Sequence, residues 1–352
     1  MAKSTKQGKG RIVFLDYLRI FAFVSVLIGH KFYAYAEAFV NNNAMHATPR
    51  LFISLLLPFF YEGGAGVVVF FLISGYIITY VLQTEQPKAF FIKRIFRIYP
   101  LYMTAVLLET YTTWFFNRTI PSFSILIKQL LLIGDFFRTP YTLGGVEWTL
   151  RIEILFYLFM GLAQYFGFFH KKKRFFTTLV VLVILYLGWL SPIPSSSIWS
   201  KGYITIYAPF LLLGTFFYLK ETNQISSWVL FGGIVLVLSQ YYYLITMQQP
   251  RWRHTHFTTL SVFLFFFAWY YRDLFNSYPI ILYGSNLTYS VYLFHNWIWD
   301  PIKIALARFS IAVLHPDIQA LVVLILFCTL MFKVIEKTGI KLGRITIKKL
   351  AL

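Results

Sequence analysis

The chain has 352 residues, of which 58% are hydrophobic, 21% aromatic and only 13% charged, a balance foreign to water-soluble domains. Its net charge of +19 sits in short Lys/Arg segments between apolar runs, as the positive-inside bias of a polytopic membrane protein produces, and no aromatic-studded basic surface exists to suggest nucleic-acid binding. The single cysteine, Cys328, lies inside an apolar run and excludes both an intrachain disulfide and a cysteine-based metal site.

Apolar runs of spanning length, about 17 to 25 residues, fall near 12–34, 51–82, 99–116, 146–169, 175–191, 203–219, 226–246, 256–271, 279–306 and 318–335. They predict an all-α polytopic membrane protein of about ten transmembrane helices. With alternating spans, MAKSTKQGKGR, KAFFIKRIFR, KKKR at 171–174, Lys220, Arg272 and KLGRITIKK share one side, the cytoplasmic one, with both termini on it. The opposite loops are poorer in cations, apart from Arg118, Lys128, Arg138 and the RWRH at 251–254. Ser122–Gly134 is too short to span and reads as an interfacial or re-entrant helix. The chain is expected to form one domain over 1–352 with no soluble domain appended. A signal-peptide cut after Ala34-Tyr35-Ala36 is disfavoured because Asp16 and Arg19 interrupt what should be a clean apolar core.

The first predicted span carries Asp16, Arg19 and His30. Ionisable side chains at bilayer depth are costly, and so mark function by default. Arg19 and His30 lie eleven residues apart, about three turns, which puts them on one face with Cα atoms about 16 Å apart. His30 suits a general base near neutral pH, or a core histidine bonded to a carbonyl. Arg19 is placed to pair with Asp16 at i,i+3, to hold part of an anionic ligand in a polar cavity, or both.

Further along, Glu62–Gly75 contains four glycines and Ser74, a pattern for close helix packing or for the wall of a tunnel. Arg94 and Arg97 lie three apart beside Lys93, either as a positive-inside flank or as a phosphate-recognition cluster. Glu147 is spaced to pair with Arg151 at i,i+4, whereas the deeper Glu153 has no such cation and must meet a partner from another span or be protonated. A carboxylate near the depth of His30 would orient its ring, which makes His30 with Glu153 the expected catalytic pair. Thr288, Tyr292 and His295 form one stripe with Tyr289 on its edge; interhelical packing and a site read equally well there. His46, His170, His254, His256 and His315 fall in or beside loops without metal-ligand spacing, so no metal is expected.

Five motifs in order resemble the acyltransferase-3 family of integral membrane acyltransferases. They are Leu15-Asp16-Tyr17-Leu18-Arg19 with His30; Val69 to Tyr76; Phe91 to Pro100 with its Arg-x-x-Arg; Trp148-Thr149-Leu150 with Glu153, Phe156 and Tyr157; and Gly284 with Thr288 to Leu293 and His295. Thr149 and Thr288 stand where serine is more usual, and both keep a hydroxyl. The resemblance implies a ten-helix fold that passes an acyl group, usually acetyl from cytoplasmic acetyl-CoA, to a hydroxyl of a glycan or small molecule. It also implies that Arg19, Arg94 and Arg97 contribute to the donor site and that His30 is catalytic. Lys93 and Ser74 are expected beside the donor, and Trp148, Tyr289, Tyr292 and His295 beside the acceptor. The expected setting is the bacterial inner membrane, with the lipid bilayer, coenzyme A and an envelope polysaccharide as partners. A glycan exporter or flippase coupled through Arg19 and His30 is the rival from another class, and an acyltransferase for a small-molecule acceptor is the rival within the class.

Overall fold

The computed structural model describes residues 11–171, 173–195, 201–250, 252, 254–308 and 314–351. The cations of residues 1–10, Lys172, Arg251 and Arg253 lie outside them. The described residues form helices and no strand. In chain order these are α1 (Val13–Lys31), α2 (Tyr33–Asn41), α3 (Ala47–Leu56), α4 (Gly64–Val81), α5 (Pro87–Asn117), α6 (Phe123–Leu130), α7 (Trp148–Tyr165) and α8 (Phe168–Lys171). There follow α9 (Lys173–Trp189), α10 (Tyr203–Glu221), α11 (Ser227–Gln248), α12 (Phe257–Tyr270), α13 (Pro279–Phe294), α14 (Trp299–Ala307), α15 (Pro316–Met331) and α16 (Lys337–Lys349). A π-helical turn over Phe332–Glu336 joins the last two.

Five stretches are long and apolar enough to cross a membrane: Val13–Lys31, Ala47–Val81, Tyr203–Glu221, Ser227–Gln248 and Pro316–Lys349. Arg174–Trp189 and Phe257–Tyr270 are shorter apolar helices. The chain is therefore a helical, multi-pass membrane protein. The run predicted as one span over 51–82 is broken: Pro58 sits in a 3-10 turn, and Glu62 and Gly63 take left-handed backbone at φ 48 and 69, so α4 starts afresh at Gly64. The predicted span 99–116 is the second half of a longer helix. Proline is tolerated in a first helical turn, where its missing N–H costs nothing, and α5 starts at Pro87 and runs through Arg94 and Arg97 to Asn117. At about 1.5 Å per residue that helix outreaches a bilayer core of about 30 Å. Residues 279–306 divide into α13 and α14, with His295 at the break.

The centre is α4 against α10. α10 is apolar all round and buried along almost its whole length, as a helix enclosed by other helices must be. Close approach is enforced by two glycines: a Cβ on Gly75 would lie 1.8 Å from the Leu211 carbonyl oxygen, and one on Gly214 would lie 2.2 Å from that of Leu72. The hydroxyls of Thr79 and Thr215 bond across the crossing at 3.0 Å, the small-residue and hydroxyl pattern by which helices associate in lipid. α1 packs on the other flank of α4, where Gly66 would bring a Cβ to 2.2 Å from the Ala22 carbonyl oxygen.

Candidate active site

The starts of α1, α5 and α16, the end of α4 and the middles of α7 and α13 enclose a cavity of about 840 Å³. Seven cationic side chains line it (Arg11, Arg19, Arg94, Arg97, Lys337, Lys341 and Arg344) against two carboxylates, Glu153 and Glu336. Asp16, fully buried, organises one wall. It accepts from Arg11 Nε at 2.7 Å, Arg19 Nη1 at 2.9 Å and Ser285 Oγ at 2.6 Å. Arg19 thus makes the expected i,i+3 pair and faces the cavity as well. A carboxylate satisfied from three sides offsets its burial and holds two guanidinium groups in place.

Arg94 stacks on the rings of Phe90 and Tyr157, 5.3 and 5.7 Å from their centroids. Its Nε is buried without a hydrogen-bond partner. Arg97 approaches Glu336 at 3.9 Å. Lys93, expected beside them, is bonded instead to Glu85 at 2.5 Å and does not line the cavity. Ser74 does line it, and donates to Glu153 Oε1 at 2.5 Å. Tyr157 donates to the same oxygen at 3.0 Å. Glu153 therefore meets its partner from another helix, as its lack of a local cation required, but that partner is Ser74 and not His30.

The cavity narrows toward the other end. A void of only about 10 Å³ continues it between Ala22, Val26, Gly66, Phe70, Thr149, Thr288 and Tyr292, room for about one water. Phe70 stacks on Tyr292 there, with centroids 6.1 Å apart and planes at 6°. The Tyr292 hydroxyl is held by Thr149 Oγ1 at 2.7 Å and donates to the Val146 carbonyl at 2.9 Å. The way from Arg19 to His30 is thus closed at an aromatic pair.

Beyond this neck the structure joins two residues that spacing alone kept apart. His30 Nδ1 lies 2.8 Å from His295 Nε2, with ring centroids 5.0 Å apart. His295 is buried and His30 is accessible. The His295 Nδ1 lies 2.8 Å from the Tyr292 carbonyl and 3.2 Å from that of Val291, so it carries the proton and Nε2 is an acceptor. His30 then donates from Nδ1, and its Nε2 holds the free lone pair of the neutral ring. The turn that carries Glu62 packs against α1 beside His30. It is brought there by Gly29, where a Cβ would fall 2.3 Å from Gly63 N and 2.4 Å from the Phe60 carbonyl oxygen. Lys31 donates to the Asn296 side chain at 3.0 Å, and Asn296 donates to the Gly144 carbonyl at 2.8 Å. These bonds tie the ends of α1 and α13 to the loop before α7.

That loop is anchored by two acids, the part-buried Glu109 and the buried Glu147. Glu109 accepts from the Thr142 hydroxyl and from Leu143 N at 2.7 Å, and Glu147 accepts from Thr142 N at 2.9 Å. The expected Glu147–Arg151 pair forms at 3.2 Å, and Arg151 also reaches Asp135 at 2.7 Å. Among residues expected beside an acceptor, Tyr292 and His295 meet at the neck and the histidine pair. Tyr289 lines the basic cavity and donates to the Ile98 carbonyl at 2.9 Å, and Trp148 packs among Phe71, Tyr203 and Tyr207. Spacing missed Arg11, Ser285, Asn286, Glu336, Lys337, Lys341 and Arg344. For the last three a signal was present, since they recur at i, i+4 and i+7. Among the described residues no three His, Cys, Asp or Glu side chains converge as metal ligands would.

A helix bundle with a polyanion-sized basic cavity at one end and an accessible imidazole past its neck defines a membrane protein built for group transfer. Residues 12–335 match the family model described as "Acyltransferase domain", and the chain belongs to this acyltransferase-3 family. It is 28% identical over 178 residues to "Nodulation protein 10" of Rhizobium leguminosarum bv. viciae, a stretch covering 45% of this chain and 46% of that protein. It is 30% identical over 112 residues to "Putative acetyltransferase ORF330" of Acidianus two-tailed virus, covering 31% of this chain and 33% of the relative. The chain thus spans about half the length of the first and a third of the second. No solved structure matches it.

Proposed function

We propose that this acyltransferase is an O-acetyltransferase of the bacterial inner membrane, moving acetyl from cytoplasmic acetyl-CoA to a hydroxyl of a cell-envelope polysaccharide such as O-antigen, capsule or a lipid-linked precursor. The observation that carries the reading is the alignment on one helix, α1, of Arg19 in the basic cavity and His30 in the histidine pair. The basic mouth suits a nucleotide head that must stay near water, and the offset of about 16 Å between the two suits a long, thin pantetheine arm. In this reading ten spans place the basic mouth and both termini on the cytoplasmic side, and the Phe70–Tyr292 pair parts to admit the arm.

His30 Nε2 takes the proton of the acceptor hydroxyl as its oxygen attacks the thioester carbonyl. The carbon–sulfur bond then breaks, and the imidazolium returns its proton to the departing thiolate. In the neutral pair one proton lies between His295 Nδ1 and the Tyr292 carbonyl and a second between His30 Nδ1 and His295 Nε2. The proton taken from the acceptor goes to His30 Nε2, the nitrogen left free in that pair. Main-chain carbonyls and His295 thereby support the imidazolium in the role that an acid fills in hydrolytic triads.

Mass spectrometry of envelope glycans from cells with and without the gene should differ by the mass of an acetyl group. His30→Ala should abolish that difference while protein in the membrane stays at its normal level. An unchanged glycan profile on deletion, or full acetylation by His30→Ala, would overturn the reading.

A further inference from the structure

The positive-inside bias explains why α16 is cationic but not how its cations are arranged. Lys337, Lys341 and Arg344 lie on one face and line the cavity, whereas Lys348 and Lys349 on the same helix and Lys333 just before it do not. Two glycines set that face. A Cβ on Gly339 would come within 2.6 Å of the Phe96 carbonyl oxygen, and one on Gly343 within 2.8 Å of Phe96 Cβ, so α16 lies directly against the segment of α5 that carries Arg94 and Arg97. From Gly339 to Gly343 the contact passes from Pro100 back to Phe96, so α16 runs antiparallel to α5 and Lys341 and Arg344 stand at the outer rim of the cavity.

Among the described residues, neither Lys341 nor Arg344 has an ion-pair partner, and the buried Arg94 Nε deeper in the same cavity is unpartnered. Lys337 is partly engaged over the Phe332 ring at 5.1 Å. The family match ends at residue 335, before this helix begins. The cavity thus holds two cationic groups: an inner one of Arg19, Arg94 and Arg97, and an outer one contributed by α16. Resting on the acetyl-CoA reading above, we propose that Lys341 and Arg344, with Lys337, form a subsite for the 3′-phosphate of the donor's adenosine. The inner arginines are left for its diphosphate. A phosphate monoester dianion at an exposed rim is best held by converging, unneutralised cations, which is the arrangement α16 presents.

The test compares coenzyme A with 3′-dephospho-coenzyme A, which lacks only that phosphate, in binding to the purified full chain in lipid nanodiscs. The wild type should bind coenzyme A about tenfold more tightly, the value of one charge-assisted contact. Lys341→Ala with Arg344→Ala should bring both ligands to the weaker value. Lys348→Ala with Lys349→Ala should keep the preference, and so should the charge-preserving Lys341→Arg with Arg344→Lys, which also reports that α16 is correctly seated. Equal binding of the two ligands by the wild type, or a preference that survives Lys341→Ala with Arg344→Ala, would overturn the subsite and leave the acetyltransferase reading standing. Binding of neither ligand by the wild type would overturn both.

Discussion

In the proposed reaction His295 acts on its neighbour rather than on a substrate. Its Nδ1 is committed to carbonyls of its own helix, so the only role left to Nε2 is to accept from His30 and hold that ring in the tautomer whose free nitrogen is the base. His295→Ala should lower kcat by about 10²-fold, within the range that positioned proton transfer contributes, with little change in KM for acetyl-CoA. His295→Gln keeps an acceptor at a similar reach and should recover part of the loss. A parallel rise in KM for the donor, or equal activity of the two variants, would place His295 elsewhere in the reaction. The pairing itself was not legible in the sequence. His30 and His295 each stand out as imidazoles in apolar runs, but they are 265 residues apart, and one sequence carries no register between distant helices. Asp16–Arg19 and Glu147–Arg151 were legible because spacing within a helix is fixed by its pitch.

At the scale of elements, the α4–α10 crossing is the least forgiving contact. Gly75→Ala drives a methyl group into the Leu211 carbonyl, so the helices must separate, at a cost of at least the roughly 1–3 kcal/mol of overpacking. Gly232 in α11 has nothing within 4 Å of an added Cβ, and Gly232→Ala should leave stability unchanged or raise it by up to about 1 kcal/mol through helix propensity. Thermal unfolding in detergent, monitored by size exclusion, should show a lower midpoint for the first and no loss for the second. Equal midpoints would show the crossing to be looser than its glycines require. Hydropathy found most of these helices but joined α3 to α4, because apolar residues continue through Pro58 and Gly63 where the backbone turns. It also truncated α5, because Lys93, Arg94 and Arg97 resemble a flank although the helix continues through them.

For the whole molecule, one cavity gathers distant parts of the chain. Arg11, Arg94 and Arg344 come from the beginning, the first third and the end of the chain and line one cavity, so those three regions share a side. Cys328 is buried, which keeps the background of thiol labelling low. With ten spans, Lys349→Cys should react only with reagent that reaches the cytoplasm, and Asn43→Cys with impermeant reagent added outside. Labelling of both from one side would exclude that topology.

The π-helical turn at Phe332–Glu336 sets the angular phase of everything after it. A π turn accommodates one residue more than an α turn, so deleting one residue between 332 and 336 returns it to an α turn with α16 near its present phase, whereas a deletion in the last α turn of α15 would swing α16 by about 100° around its axis. In that second case Lys341 and Arg344 would swing away from the cavity, and Gly339 and Gly343 would lose their seat on Phe96. Residue count is therefore under looser constraint in this short stretch than in the α-helical turns that adjoin it: a single-codon deletion is absorbed here, whereas one just before it rotates every group downstream at once.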